Sequence, residues 1–316
     1  MILSSEDVRR LVSIEEAIEV VASSYSELSE GGIQMPVRTV TDFDHDDLTI
    51  FYKPSYMVSE RIAGIKLLSQ LRNGGRNGHP TIQGIVMLID AVNNTTCAIV
   101  DGTYLTALRT GAASGVATKC LARENATTLV IFGAGAQSYT QFEGVCAVRN
   151  IKKAYVFDIR KETVDKFIHT YRDSDVEIKY GDDISKVSEA DIICTVTNSV
   201  VPLFPREILK KGVHINAIGS YAPNMQELPD DIFKGTSLFV DHRQSCFSES
   251  GDIIIPLSKE LLPENSFKGE IGDVLTGKIA GRSFDEEITI FKSVGLAVQD
   301  LATANYAYKK ARSEKV

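Results

Sequence analysis

The segment Thr128-Leu129-Val130-Ile131-Phe132-Gly133-Ala134-Gly135-Ala136-Gln137-Ser138 constrains the fold more than any other stretch of the chain. A short apolar run with β-branched residues ends in two glycines spaced Gly-x-Gly, and a helix-compatible segment follows from Gln137 towards Val148. Strand, glycine turn and helix in that order form the setting of a dinucleotide-binding fingerprint. Ser138 takes the last position of the usual pattern and is small enough for close packing of helix on strand. Roughly 25 residues after Gly133 a second apolar run, Ala154-Tyr155-Val156-Phe157, ends at Asp158, where an acid is expected to hold the adenosine ribose hydroxyls. A lone Gly-x-Gly is a weak signal. Two strands and a terminal Asp around it make a strong one, the alternative being a tight turn beside an ordinary sheet Asp.

From Thr127 onward, strand-like and helix-like patterns alternate. A helix is expected over Thr163–Tyr171, a strand at Val176–Ile178, a short helix at Ile184–Ala190 and a buried strand at Asp191–Thr197. Further strands follow at His214–Gly219 and Ser237–Asp241. Successive crossovers imply a parallel sheet covered on both faces, with its ligand outside the carboxyl ends of the strands. Gly133, Asp158, Thr197 and Gly219 should converge there.

The first part of the chain reads differently. Ser13-Ile14-Glu15-Glu16 is a capping box opening a helix with Ile14, Ala17, Val20, Val21 and Tyr25 on one side. Extended segments then run over Arg38–Val40, Leu48–Tyr52 and Arg61–Leu67. Gly84–Asp90 and Thr96–Val100 flank an Asn93-Asn94 turn, which predicts a hairpin. These runs describe a mostly antiparallel sheet with a helix packed on it. Leu105–Leu121 is the expected connecting helix; Gly111 and Gly115 within it suit either close packing or room for a ligand. Late in the chain, Ser293–Ala311 reads as a long helix returning to the first domain, with residues 311–316 as a loose tail. The expected division is therefore 1–121 with 293–316 as one discontinuous α/β domain, and 122–292 as the nucleotide-binding domain.

The bulk properties narrow the function. At 316 residues and net charge -8, the chain offers no basic surface for nucleic acid. No apolar run reaches membrane-spanning length, and the start lacks the basic and apolar regions of a signal peptide. Five scattered cysteines make neither a metal-spacing pair nor a disulfide framework, so no metal is expected and a cytoplasmic location is.

Hydride chemistry on an acidic substrate needs an anchor for the acid and a means of moving a proton. Lys66, in Gly64-Ile65-Lys66-Leu67-Leu68, is either a cleft lysine with a lowered pKa or an outer-face lysine in water. Arg109 is either a bidentate carboxylate clamp or half of a structural salt bridge. Arg38 alone would be an ordinary surface residue. Asp300, between Gln299 and Leu301, either pairs with a cation or faces water. Glu249-Ser250-Gly251-Asp252 is a further acidic segment, and Asn73-Gly74-Gly75-Arg76-Asn77-Gly78 is a rim or a plain surface loop.

Gly64-Ile65-Lys66, Leu108-Arg109-Thr110-Gly111-Ala112-Ala113, Gly133-Ala134-Gly135-Ala136-Gln137, Ile218-Gly219 with Glu227-Leu228, Glu249-Ser250-Gly251-Asp252, and Ser293-Val294-Gly295 through Asp300-Leu301 resemble, in order and over nearly the whole chain, the ornithine cyclodeaminase/mu-crystallin family. The resemblance implies a Rossmann domain plus a substrate-binding domain that pairs subunits into a homodimer. It implies that Arg38, Lys66 and Arg109 bind the carboxylate of an amino-, imino- or 2-oxo-acid substrate, with Lys66 also transferring a proton; Asp300 is a further substrate-binding candidate. The resemblance places the cofactor pyrophosphate on Gly133, Gly135, Ala136 and Gln137 and its ribose on Asp158; Thr197 and Gly219, from the sheet topology, and Thr110 and Arg160 are further cofactor-binding candidates. Asp158 favours NAD(H), because a carboxylate bonds a free ribose diol and repels a 2′-phosphate; the nearby Arg160 leaves room for NADP(H).

True ornithine cyclodeaminases carry an Asp soon after the strand that here ends at Ile218, and Tyr221 stands at that place. A phenol supplies no anion at neutral pH. The resemblance is therefore nearer to the family's alanine dehydrogenases, pyrroline-2-carboxylate reductases and ketimine reductases. Ornithine cyclodeamination to proline and ammonia, and a non-catalytic crystallin-like role, are the alternatives.

Overall fold

The computed structural model describes residues 1–72 and 81–314, so the Asn73–Gly78 loop and the last residues of the tail lie outside it. The chain divides into two units, Met1–Arg109 with Gly295–Val316, and Thr110–Val294.

In the first unit, β1 (Ile2–Leu3) leads into α1 (Ser5–Leu11), whose first turn is closed by a capping box between Ser4 and Asp7. The Ser13–Glu16 capping box opens α2 (Ile14–Ser29), which buries Ala17, Ile18, Val21 and Tyr25. Ile14 and Val20, expected on that side, are only half-buried, because the stripe is centred one position away on Ile18. Then come β2 (Ile33–Gln34), β3 (Thr39–Phe43), β4 (Leu48–Met57), β5 (Ile62–Leu71), β6 (Ile82–Asp90) and β7 (Thr95–Asp101). The sheet order is β1-β7-β6-β5-β4-β2 with β3 also on β4, antiparallel apart from the β1–β7 pair. The turn at Asn94, in the left-handed region at φ 52°, makes the expected β6–β7 hairpin.

β4 runs five residues beyond the expected Tyr52, through Pro54. A proline inside a strand needs a place where no partner asks for its N–H. On this edge β3 pairs as far as Tyr52, and β2 resumes at Tyr56, so Pro54 falls in the gap between them.

The C-terminal helix spans Ala297–Ser313, not Ser293–Ala311. Gly295 adopts φ +76° and Leu296 is extended, so helix cannot begin before Ala297. Ala311, expected in a loose tail, is buried in its last turn. This helix packs on β4, β5, β6 and α2.

α3 (Gly102–Leu121) continues from the first unit into the second. The second unit contains β8 (Thr128–Phe132), α4 (Ala136–Cys146), β9 (Lys153–Phe157), α5 (Lys161–Thr170), β10 (Glu177–Tyr180), β11 (Ile192–Thr195) and β12 (His214–Ala217). It is completed by β13 (Thr236–Val240), α6 (Arg243–Glu249), α7 (Gly251–Ser258), β14 (Phe267–Glu270), α8 (Ile271–Leu275) and β15 (Ile288–Lys292). Every pairing in the order β10-β9-β8-β11-β12-β15-β13-β14 is parallel. Leu129 and Ile131 of β8 join one core with Phe142, Val145 and Phe167; Val130 and Phe132 join the other with Ile193, Ile215 and Leu238. Burial on both faces explains the near-continuous apolar runs of these strands. The order reverses between β8 and β11, which is where an open parallel sheet leaves a crevice for a ligand. Gly111 faces the Thr140 backbone and Gly144 faces the Gly111 carbonyl, so close packing of α3 on α4 accounts for Gly111. No helix among the described residues is long and apolar enough to cross a membrane.

Candidate functional site

Two constellations stand out, one in each unit. In the first, Lys53 of β4 lies opposite Lys66 of β5, and Lys66 lies opposite Val86 of β6. This row faces the helices. Gly64, on the same face of β5, has no room for a side chain: a Cβ there would sit 2.7 Å from Leu301 of the C-terminal helix and from the Met87 carbonyl. That close approach brings Asp300 down onto Lys66.

Lys66 Nζ donates to Asp300 Oδ1 at 2.8 Å and to Thr106 Oγ1 at 2.6 Å. Arg109 Nε donates to the same Oδ1 at 3.0 Å, and Arg109 Nη1 to Gln299 Oε1 at 3.3 Å. Gln299 is itself fixed by the Leu296 N–H and by the Tyr25 hydroxyl, which accepts from its Nε2 at 2.6 Å. Lys66 and Asp300 are almost fully buried, with 1% and 0% of their side chains exposed. Asp300 Oδ2 is buried and has no hydrogen-bond partner among the described residues. Lys53 Nζ donates to the Gly295 carbonyl at 3.1 Å. Arg38 is half-buried, its guanidinium 5.2 Å from the centre of the Phe51 ring.

Three basic side chains, Lys66, Arg109 and Lys53, therefore bear on one carboxylate, and Arg38 bears on Lys53. Burial pushes the Lys66 ammonium down to about 8, against the pull of Asp300. Burial pushes Lys53 lower, to about 7, reinforced by Arg38 and Lys66. Burial alone would raise Asp300, but Arg109, Lys66 and Lys53 outweigh it and hold its carboxyl below the ordinary range. A buried cluster with surplus positive charge is suited to receiving an anion, and a lysine titrating near neutrality is suited to moving a proton.

In the second unit the groups lie at the carboxyl ends of β8, β9, β11 and β12. Gly133 has φ +98°, and a Cβ there would lie 2.7 Å from the Val196 carbonyl, so the protein itself requires glycine. Gly135 is different: nothing stands within 4 Å of where its Cβ would be. It is the N-cap of α4, and no side chain caps that helix. Gln137 Oε1, in the first turn, is buried without a partner. An uncapped helix start beside an open glycine suits an anionic group approaching the backbone.

Asp158 Oδ2 accepts from Ala134 N at 2.7 Å and Oδ1 from Arg160 N at 2.9 Å, tying the glycine turn to the end of β9. The Arg160 side chain is exposed, 4.0 Å from Asp158. Ala136 is exposed at the helix start, and Thr110 is buried in α3.

Glu227, fully buried, gathers Thr197 and Gly219. Its Oε1 accepts from Thr197 N at 2.6 Å and Thr197 Oγ1 at 2.8 Å; its Oε2 accepts from Thr195 Oγ1 at 2.7 Å and Gly219 N at 2.8 Å. Any Cβ at Gly219 would collide with Glu227 and the Thr197 carbonyl. Asp252 Oδ1 accepts the Glu227 and Leu228 N–H groups, and its Oδ2 meets Lys292 Nζ at 3.1 Å. Burial and the nearby Asp252 push Glu227 up to about 7.

Of the residues expected at the substrate site, the fold brings Lys66, Arg109 and Asp300 into direct contact, and the charge of Arg38 bears on Lys53. Sequence reasoning found the convergence of Gly133, Asp158, Thr197 and Gly219. Lys53 lies outside the expected strand, which stops at Tyr52 just before Lys53-Pro54; alternation continued through Met57 would have put it on the face that carries Thr49 and Ser55, and only the register sets it opposite Lys66. Sequence reasoning assigned no role to Glu227 and Lys292, whose neighbours come from distant loops and leave no local pattern.

The ornithine cyclodeaminase/mu-crystallin family model matches residues 1–315. The chain is 40% identical over 319 residues to a Bacillus cereus Δ1-pyrroline-2-carboxylate reductase, covering 100% of this chain and 98% of that one. It superposes on a Thermococcus litoralis Δ1-pyrroline-2-carboxylate reductase in complex with NADH and L-proline at TM-score 0.96 and 36% identity, covering 100% and 98% of the two chains. An archaeal alanine dehydrogenase dimer with bound NAD follows at TM-score 0.94 and 33% identity, covering 100% and 97%. The chain belongs to the ornithine cyclodeaminase/mu-crystallin family and stands nearer its reductases and dehydrogenases than its true ornithine cyclodeaminases.

Proposed function

We propose that this protein is an NAD(H)-dependent oxidoreductase that interconverts a small L-amino acid with its imino or 2-oxo acid, and that its substrate is a cyclic imino acid of the pyrroline-2-carboxylate type. The observation that carries the reading is the buried cluster of Lys66, Arg109 and Asp300 with its surplus of cations. The similarity to pyrroline-2-carboxylate reductases at 40% identity supports the cyclic imine, and that to an alanine dehydrogenase keeps pyruvate with ammonium as the second substrate pair.

In this reading Arg109 and Arg38 hold the substrate carboxylate. Asp300 fixes Lys66 and Arg109 through Oδ1 and offers Oδ2 to the N–H of the protonated imine, the form that accepts a hydride. Lys66 stabilises developing charge and relays the proton that the product amine gains. A nicotinamide cofactor bound in its reduced form would supply the hydride, and from the protonated imine one proton is consumed for each amino acid formed. Gly133, Gly135, Ala136 and Gln137 would cradle the pyrophosphate at the start of α4, Asp158 would hold the adenosine ribose, and Thr110, Thr197 and Gly219 would complete the cofactor contacts. Arg160, exposed beside Asp158, is the residue through which NADP(H) would be tolerated. The division of labour has the first unit as substrate-binding and dimerisation domain and the second as nucleotide domain, in a cytoplasmic enzyme.

The sheet of the first unit supports the homodimer. Across its outer face Pro54, Ile65, Met87 and Ile99 lie in register, with Ile2 beyond them, an apolar row left partly exposed. An apolar face of this kind suits a second copy of the chain.

The test is NADH oxidation with pyrroline-2-carboxylate, with pyruvate plus ammonium, and with ornithine, each with product analysis. Turnover of the cyclic imine to proline is expected. Turnover only with pyruvate and ammonium would make the enzyme an alanine-type dehydrogenase. Proline and ammonia from ornithine without net NADH would restore the cyclodeaminase reading despite Tyr221, and NADH binding without any turnover would favour a binding protein.

A further inference from the structure

The fold gains nothing from a charge on Lys53. The residue is 8% exposed, sits directly opposite Lys66 in the β4–β5 ladder, and like charges placed opposite each other weaken a sheet. The carboxylate of the cluster, Asp300, gives its Oδ1 to Lys66 and Arg109. Lys53 Nζ meets the Gly295 carbonyl, a neutral acceptor that satisfies one of an ammonium's three donors and cancels no charge. An apolar side chain of similar length would fill this place at lower cost. The charged and titratable groups that bear on it are Arg38 ahead of β3, Lys66 on β5, Arg109 on α3 and Asp300 on the C-terminal helix. Three of the four repel it.

We infer that Lys53 is a further substrate-binding residue, which takes up a proton when the substrate carboxylate enters and holds that carboxylate as an ammonium. The inference rests on the amino-/imino-acid reading above and adds to it a linkage between substrate and proton. Before binding, burial and the surrounding cations drive Lys53 towards its neutral form, near pH 7. The arriving carboxylate reverses that balance: neutral Lys53, one proton from solvent and the carboxylate give an ion pair, with no other group consumed. A lysine here makes anion binding pH-dependent, where an arginine, charged at every accessible pH, would not.

The experiment is calorimetric titration of L-proline into the NADH-saturated protein, a pairing that cannot react because both partners are reduced. Runs at neutral and mildly alkaline pH, in buffers of different ionisation enthalpy, give the protons taken up. Wild type should take up more protons than Lys53→Arg, while the two bind proline with affinities within roughly threefold of each other. Lys66 also titrates in this range, so the difference between wild type and the arginine variant is the diagnostic quantity. Lys53→Met should weaken proline binding roughly tenfold or more, with NADH affinity unchanged as the check on folding. Equal proton uptake in wild type and Lys53→Arg, or undiminished proline affinity in Lys53→Met, would overturn the inference and leave the functional reading standing. A wild-type protein that neither binds proline nor reduces pyrroline-2-carboxylate would overturn the functional reading, and this inference with it.

Discussion

Around Asp300, donors are long side chains and positive charge exceeds negative. At the carboxyl ends of β8, β11 and β12, donors are mainly backbone N–H groups, and the buried charges of Glu227, Asp252 and Lys292 all have partners. Both places suit anions, by different means. A glycine turn and a helix start present fixed dipoles that cost little to keep dry, and they read the shape of a phosphate without titrating. The cation cluster is expensive while empty, and it includes groups that change protonation near neutral pH. The two regions differ in this way: the glycine turn and helix start do not titrate, and Glu227, pushed up to about 7, stands behind Thr197 and Gly219. In the cation cluster the titrating lysines themselves belong to the proposed substrate site.

The contrast can be broken from the reactive side first. Lys66→Met should lower kcat by on the order of a thousandfold, about 4 kcal/mol of barrier, while NADH titrations monitored by fluorescence stay unchanged. An unaltered kcat would remove Lys66 from the chemistry. Asp300→Ala leaves Lys66 and Arg109 buried without their counter-charge, and denaturant unfolding should register a loss of about 3 kcal/mol along with lost turnover. A variant as stable as wild type would mean that the cluster is not held by this carboxylate.

The glycine turn offers a sharper pair. Gly133→Ala puts a side chain at φ +98° against the Val196 carbonyl and should cost roughly 1–3 kcal/mol of stability. Gly135→Ala meets open space and should leave stability within about 0.5 kcal/mol of wild type, yet weaken NADH binding, since the room it fills belongs to the ligand. Equal NADH affinity in that variant would take the pyrophosphate out of this cradle.

pH tests the same distinction. Lys66 carries its proton below about 8 and loses it above, while the substrate carboxylate stays ionised throughout. In the direction of imine reduction, kcat/KM should therefore fall as pH rises through that region, by about tenfold per unit once the group is mostly neutral. NADH affinity should stay flat over the same range. The smallest expected effect is at Asp158: Asp158→Ala should relax the preference for NADH over NADPH by roughly tenfold, since the carboxylate that repels a 2′-phosphate is gone. Unchanged affinities for both cofactors would remove the ribose contact.

What was legible in the sequence follows the same line. The glycine turn, its flanking strands and Asp158 lie close together in the chain, and local pattern alone located them. Lys66 and Asp300 lie 234 positions apart, and no periodicity reports such a meeting. Their joint role came from resemblance, and the pairing itself only from the fold. Lys53 lies just past the end of the expected strand, beside Pro54, a residue that normally ends a strand and here occupies the gap between two edge partners. The late helix was placed four residues early because its apolar spacing continues back through Val294, while the backbone turn that stops it at Gly295 is a matter of φ. Glu227 is marked in the sequence only as part of the Glu227-Leu228 resemblance, and its role emerges from the four donors that the fold gathers around it.

Hydride transfer from NADH to the α-carbon of an imino acid leaves an isotopic trace in the product. NADH carrying deuterium at both C4 positions, incubated with pyrroline-2-carboxylate and the enzyme, tests it most directly by mass analysis of the product. Proline with one deuterium, located at Cα, is the predicted result. Proline without deuterium, or no proline while NADH remains bound and intact, would contradict the account.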